Sequence, residues 1–282
     1  MKNLSRIYII SWFGNSDIRD KRVEYHNKQI EWAKSHNLDI FVLAQHYNKD
    51  EYRDDVTYID FEYPAGMNLL IPGTARNVCL EHFYASDENF AIFADNDAVL
   101  YDGPQHCDGK DFVEKFNAVP LDYFSEVDLF VPLNPRKMPF TKTITDNQQL
   151  FDNNFVFHRN PDAKGSLFCL KNMRLHYNNP IYFDDAFDNR DGTFTPMGDV
   201  DFGLNFLSQG YSSYMLHNII LKEFAVNLST WTGRDERVHT FHLGRNIMTK
   251  KYGLELTKRG GLHYKPLYEK SKTRSKLIVP KK

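Results

Sequence analysis

Cysteine is scarce in this chain, and long apolar runs are missing altogether. The three cysteines, Cys79, Cys107 and Cys169, are scattered and odd in number. No paired metal-ligand spacing appears among them. That excludes a disulfide framework and points to a reducing, cytoplasmic setting. No apolar stretch approaches the roughly 20 residues of a membrane-spanning helix, so no membrane partner is expected. The opening residues, Met1-Lys2-Asn3-Leu4-Ser5-Arg6, lead straight into strand-like sequence. They show neither the apolar stretch nor the small-residue cleavage site of a signal peptide. No internal repeat, interdomain linker, zinc-finger spacing or helix-turn-helix pattern stands out.

Aromatic residues, in contrast, are plentiful: 22 Phe and 16 Tyr among 282 residues. A chain of this size and composition can bury a full core and is not disordered as a whole. Its net charge of −2 is unevenly spread. From Lys250 onward there are eleven basic residues against two acidic ones, a net of +9, which leaves −11 on the rest. A basic end on an acidic body suits a polyanionic partner such as nucleic acid or a nucleotide diphosphate; the plainer reading is a solvated tail.

Along the chain, apolar segments at 6–12, 39–44, 56–60 and 90–95 read as strands, and 20–36 and 74–86 as helices. This alternation implies a largely parallel sheet with helices on its faces. Further strands are expected at 127–131, 165–170 and 211–216, and a helix at 199–209 closed by Gly210. The polar stretch 134–164 shows no clear period and reads as a long loop over the substrate. The expected organisation is a catalytic domain over 1–249 and a basic extension over 250–282.

The chemistry concentrates at Asn89-Phe90-Ala91-Ile92-Phe93-Ala94-Asp95-Asn96-Asp97, a buried strand ending in two carboxylates one residue apart. Such a pair repels itself unless a cation or water intervenes, so Asp95 and Asp97 suit a hard divalent ion, Mn²⁺ or Mg²⁺. Asp-Asn-Asp is also good turn chemistry. Upstream, Gly73-Thr74-Ala75-Arg76-Asn77 opens a helix, where free backbone N–H groups and the forked donor of Arg76 favour an anion. Downstream, Asp199 and Asp201 lie in Met197-Gly198-Asp199-Val200-Asp201-Phe202. Asp199 there reads either as a helix cap or as a general base that takes a proton from an acceptor hydroxyl. In His239-Thr240-Phe241-His242-Leu243-Gly244, read as a strand, His242 is a candidate third metal ligand through its neutral imidazole.

In this order the motifs resemble the GT-A class of nucleotide-sugar-dependent glycosyltransferases. The likeness runs from Arg6 to Gly244 through Ala75-Arg76-Asn77, the Asp-x-Asp at Asp95 and Asp97, Gly198-Asp199-x-Asp201-Phe202 and Phe241-His242-Leu243-Gly244. It implies an α/β fold with a mixed, mostly parallel sheet in a single catalytic domain. It further implies a hexosyl or pentosyl transferase whose donor, foremost a UDP-sugar, is held near Ser11, Trp12, Arg76, Asn77 and Asp95. The cation would sit on Asp95 or Asp97 with His242, and Asp199 or Asp201 would act as base in an inverting displacement, with a retaining course also open to the class. Gly198 stands where the class often has Glu, which leaves the base open between the two aspartates. In overall character the chain also resembles the T-even-type phage enzymes that add sugars to hydroxymethylcytosine in DNA. That implies double-stranded DNA as acceptor, gripped by Lys250, Lys251, Lys258 and Arg259, in a host cytoplasm. Alternatives are a surface-polysaccharide acceptor, or a haloacid-dehalogenase-like phosphatase, whose nucleophile also ends a strand in Asp-x-Asp.

Overall fold

The computed structural model describes residues 3–14, 16–66, 68–96, 98–102, 110–133, 148–150, 156–159, 166–187, 197–223 and 234–255. In chain order the first half comprises β1 (Leu4–Trp12), α1 (Ser16–Ser35), β2 (Asp39–Gln45), β3 (Thr57–Tyr58), α2 (Pro72–Tyr84), β4 (Phe90–Asp95) and β5 (Ala98–Asp102). There follow α3 (Lys110–Ala118), β6 (Leu129–Leu133), β7 (Gln148–Leu150), β8 (Val156–Arg159) and β9 (Leu167–Lys171). The remainder is α4 (Met173–Tyr177), α5 (Gly198–Ser208), β10 (Ser213–Glu223) and α6 (Arg234–Tyr252).

One mixed sheet runs in the order β3-β2-β1-β4-β9-β6-β10-β8-β7, with β5 paired to β10. Its first four strands are parallel. β9 runs antiparallel to both β4 and β6, and β10 returns parallel to β6. The α/β class and the helix-flanked mixed sheet implied by the motifs are what the chain adopts.

Alternation along the strands builds the two faces. Ile7, Ile9, Ile92 and Ala94 join Ile30 and Ala33 of α1 and Phe112 and Phe116 of α3 in one cluster. Tyr8, Leu43, Ala91 and Phe93 face the other way, onto Cys79, Leu80 and Phe83 of α2 and Phe202 and Phe206 of α5. A strand buried on both faces must be apolar throughout, which is why 90–94 reads as a continuous apolar run. Phe93 stacks between Tyr8 and Phe168, with ring centroids 5.0 Å from each. Pro72 starts α2, at a position where its missing N–H costs nothing.

Two expectations, at 239–244 and within 134–164, are corrected, and a helix runs across position 249. The segment 239–244 is not a strand but part of α6. Buried Gly244 and Met248 recur four residues apart, a helical spacing that outweighs the short alternation at 239–242. The expected domain limit at 249 falls inside that helix, which continues to Tyr252 and is followed by the buried Leu254. Within the expected loop 134–164 lie β7 and β8; the rest of it, like Lys258 and Arg259, is outside the described residues.

Candidate functional site

From β1 the chain passes to β2 and β3 on one side, then crosses back to β4 on the other. The carboxyl ends of β1 and β4 therefore flank a topological switch point, where open α/β sheets leave a crevice for ligands. In register, Ile10 lies opposite Asp95, so Ser11 and Trp12 lead into one lip of that crevice and Asp95 and Asn96 into the other. The Asn96 N–H donates to Ile10 O at 3.2 Å and ties the two lips together.

Beneath the crevice is a buried polar layer. The Ser11 hydroxyl bonds His26 Nδ1 of α1 at 2.9 Å, and both residues are fully buried. Ser11 thus belongs to the floor, holding α1 to β1, rather than to the open face where a donor would meet it. One helical turn on, Gln29 donates from Nε2 to Asp95 O at 2.8 Å and to Ala98 O at 2.5 Å. Trp12 carries the guanidinium of Arg22 5.0 Å from its ring. Its indole lies so close to Gly14 that a Cβ there would come within 2.9 Å of Nε1.

The wall is built by α2. Arg76 is buried, yet it reaches Asp95 Oδ1 with Nη2 at 2.9 Å. The guanidinium also lies 5.5 Å from the ring of Phe183. Asn77 clamps that same residue through its backbone, donating to Phe183 O at 3.0 Å and accepting from Phe183 N at 2.8 Å. Asn77 therefore shapes the wall by holding the 183 segment in place. Phe183 in turn stacks on Phe202 of α5 at 4.1 Å with an interplanar angle of 2°. A single ring links the Arg76–Asp95 pair to the helix that carries the other two aspartates.

Those two aspartates differ sharply. Asp199 is half-buried in the first turn of α5, with Oδ1 accepting from Val200 N at 3.0 Å. Asp201 is fully buried, and burial raises its pKa despite the cation beside it. It accepts from Lys251 Nζ at 2.9 Å and from the Tyr252 hydroxyl at 2.8 Å. Lys251 also reaches Asp184 Oδ2 at 2.5 Å. Burial alone would raise the Asp184 pKa, but the Lys251 ammonium and the Ala186 N–H together outweigh it and hold the carboxyl below its usual value. Asp201 and Lys251 are thus committed to each other. The first is a buried strut rather than an accessible base, and the second is tied to the body rather than offered to a polyanion.

His242 is exposed on α6. Nine residues from Lys251, it lies about two and a half turns away and so on the opposite side of that helix. Lys250 is exposed. Asp97 lies outside the described residues. Among the described residues no three His, Cys, Asp or Glu side chains gather as a metal site. Asp95, the described member of the acidic pair, has its charge balanced by Arg76.

His26, Gln29, Phe183, Asp184 and Tyr252 were not singled out from sequence. His26 and Gln29 carried a signal, being polar at one-turn spacing beside the buried Ile30 and Ala33 of the same helix. Phe183 and Asp184 carried none, because long-range partners alone give them their place.

Fold and site together define an α/β protein with a ligand crevice at a switch point, walled by an arginine–aspartate pair. No protein-family model matches the chain, and no curated protein matches it. Among solved structures it is similar to A197 from STIV (13% identity over 78% of this chain and 86% of that one, TM-score 0.39). It is also similar to GalNAc-T7, solved with UDP, GalNAc and Mn²⁺ (11% identity, 97% and 55%, TM-score 0.46). A third likeness is to UDP-glucose pyrophosphorylase from Acinetobacter baumanii (8% identity, 76% and 86%, TM-score 0.40). At these scores the likenesses carry nothing about what this chain binds.

Proposed function

We propose that this chain is a nucleotide-sugar-dependent glycosyltransferase, moving a hexosyl or pentosyl group from a nucleoside-diphosphate donor, foremost a UDP-sugar, to an acceptor hydroxyl. The observation that carries the reading is the Arg76–Asp95 pair at the switch point, 2.9 Å between Nη2 and Oδ1. Arg76 is almost wholly buried, whereas the Asp95 side chain is 37% exposed. An arginine behind a carboxylate fixes its orientation through a charge-assisted hydrogen bond. Its outward side then accepts hydrogen bonds from the hydroxyls of a ribose or a sugar. Trp12, with the Arg22 guanidinium over its ring, stands at the other lip, where the nucleotide would lie.

Asp199 is the base in this scheme. It takes the proton of the acceptor hydroxyl as that oxygen bonds to the sugar's anomeric carbon, while the bond to the diphosphate breaks and the diphosphate leaves with the electron pair. Asp201, locked to Lys251 and Tyr252, holds the first turn of α5 that presents Asp199. Mn²⁺ or Mg²⁺, held by Asp97 with a share of Asp95, would supply positive charge against the departing diphosphate. For the acceptor we favour hydroxymethylated or already glycosylated double-stranded DNA, on the strength of the basic residues that follow Lys250.

The test is a screen of nucleotide sugars with Mn²⁺ or Mg²⁺, reading out donor hydrolysis and transfer, with modified DNA and with polysaccharide acceptors. Consumption of one donor class is expected. In that assay Arg76→Lys should lower kcat/KM about tenfold or more, because an ammonium cannot reproduce the planar fork. A chain that consumes no sugar nucleotide, or an Arg76→Lys variant at full activity, overturns the reading. Transfer to polysaccharide but not to DNA would keep the enzyme and replace the acceptor.

A further inference from the structure

We propose that Gln29 of α1 is the positioning residue of the acidic turn, a staple that holds the Asp95–Ala98 segment in register with the crevice. Its side chain is fully buried on the α1 face of the sheet. Nε2 lies 2.8 Å from Asp95 O and 2.5 Å from Ala98 O. Backbone carbonyls only accept, so the amide nitrogen must face them and both of its protons are used. The two carbonyls are three residues apart and bracket the turn on which the proposed donor site depends. Gln29 therefore pins that turn at both ends from the buried face of α1.

The staple itself is braced. One turn earlier on α1, His26 meets the Ser11 hydroxyl at 2.9 Å, which fixes the helix against β1 and so sets how far Gln29 reaches. Few side chains can substitute. Glu would turn an oxygen toward two carbonyl oxygens, Asn is a methylene too short, and Met fills the volume but donates nothing. Buried carbonyls deprived of both protons would seek other partners, and the turn would shift. The consequence for sugar transfer rests on the function proposed above; the consequence for the turn does not.

Two measurements on the full chain separate these. In the wild-type protein with ¹⁵N-labelled glutamine, the Gln29 side-chain amide protons should exchange with solvent at least a hundredfold more slowly than those of an exposed glutamine. Exchange at the free rate overturns the proposal. In Gln29→Met, the Asn96 backbone amide, which bonds Ile10 O, should exchange tenfold faster or more, with the amides of β2 unchanged. In the same variant kcat should fall by a larger factor than KM rises. A folded Gln29→Met chain with unaltered exchange at Asn96, or with KM alone affected, overturns the positioning role. If the variant does not fold, the wild-type side-chain exchange decides. Should the wild-type chain transfer no sugar at all, the functional reading fails while the exchange results still judge the staple.

Discussion

His26 is held in the interior as a neutral ring. Burial drives its pKa down from 6.5 to about 4, and the charge of Arg53 adds to the effect. The unfolded chain takes up a proton at this histidine near pH 6.5, while the folded chain resists until about pH 4. Between those values the unfolded state binds more protons, so the contribution of His26 to stability is complete above pH 6.5 and is lost progressively as the pH falls. A shift of this size corresponds to about 3 kcal/mol at most. His82 and His176, though exposed overall, are displaced in the same direction by partial desolvation of their rings, so only a comparison isolates His26. We expect urea unfolding of the wild-type chain to weaken from pH 7 to pH 4, and the His26→Gln chain to show a flatter dependence by about that amount. Parallel slopes for the two chains would mean that the ring is charged or solvated in the folded state.

Among the elements, α6 is the one whose identity was hardest to read, and its last turn does the most for the site. Lys251 and Tyr252 converge on Asp201, and Leu254 joins Met248 in the small cluster with Leu204 and Leu207 of α5. A chain ending at Thr249 loses this turn and leaves the Asp201 carboxylate buried without its cation. Leaving a buried acceptor without its partners typically costs about 1–3 kcal/mol. A chain ending at Glu255 keeps every one of these contacts. We therefore expect the 1–249 chain to melt several degrees below the 1–255 chain; equal melting of the two truncations would show that the latch is not stabilising. The contrast with β4 shows what was legible in sequence. β4 could be read because burial on both faces leaves an uninterrupted apolar run, and because the run stops at Asp95 where the strand meets the crevice. β1, β2 and α2 were legible for similar local reasons. The role of Asp201 was not, since a fully buried strut and a half-buried candidate base stand two residues apart and their difference comes from Lys251, fifty residues on. His26 and Gln29 were visible as polar residues on a helix, but their partners on β1 and at the end of β4 exist only once the sheet has assembled.

At the scale of the whole molecule the distribution of charge is the leading property. Residues 256–282 carry nine basic side chains against the single acid Glu269, a net of +8, so residues 1–255 carry −10. Lys251, bound to Asp184 and Asp201, is already spent within the body, and Lys250 is the described basic residue left exposed beside it. A body of that net sign repels a phosphate backbone on the whole, so the attraction to DNA is assigned to the segment after Glu255. Binding of this kind releases counterions, so log K falls linearly with log salt, with a slope of about −0.9 for each phosphate neutralised. If the segment engages five or six phosphates, affinity should fall by roughly three orders of magnitude between 50 and 200 mM salt. The 1–255 chain should bind the same duplex at least a hundredfold more weakly at low salt, with a slope near zero. Fluorescence anisotropy of a labelled duplex, titrated with each chain at several salt concentrations, measures both quantities. Affinity that is flat in salt for the full chain, or undiminished in the 1–255 chain, would remove DNA as the acceptor and direct the search to a neutral or polysaccharide hydroxyl.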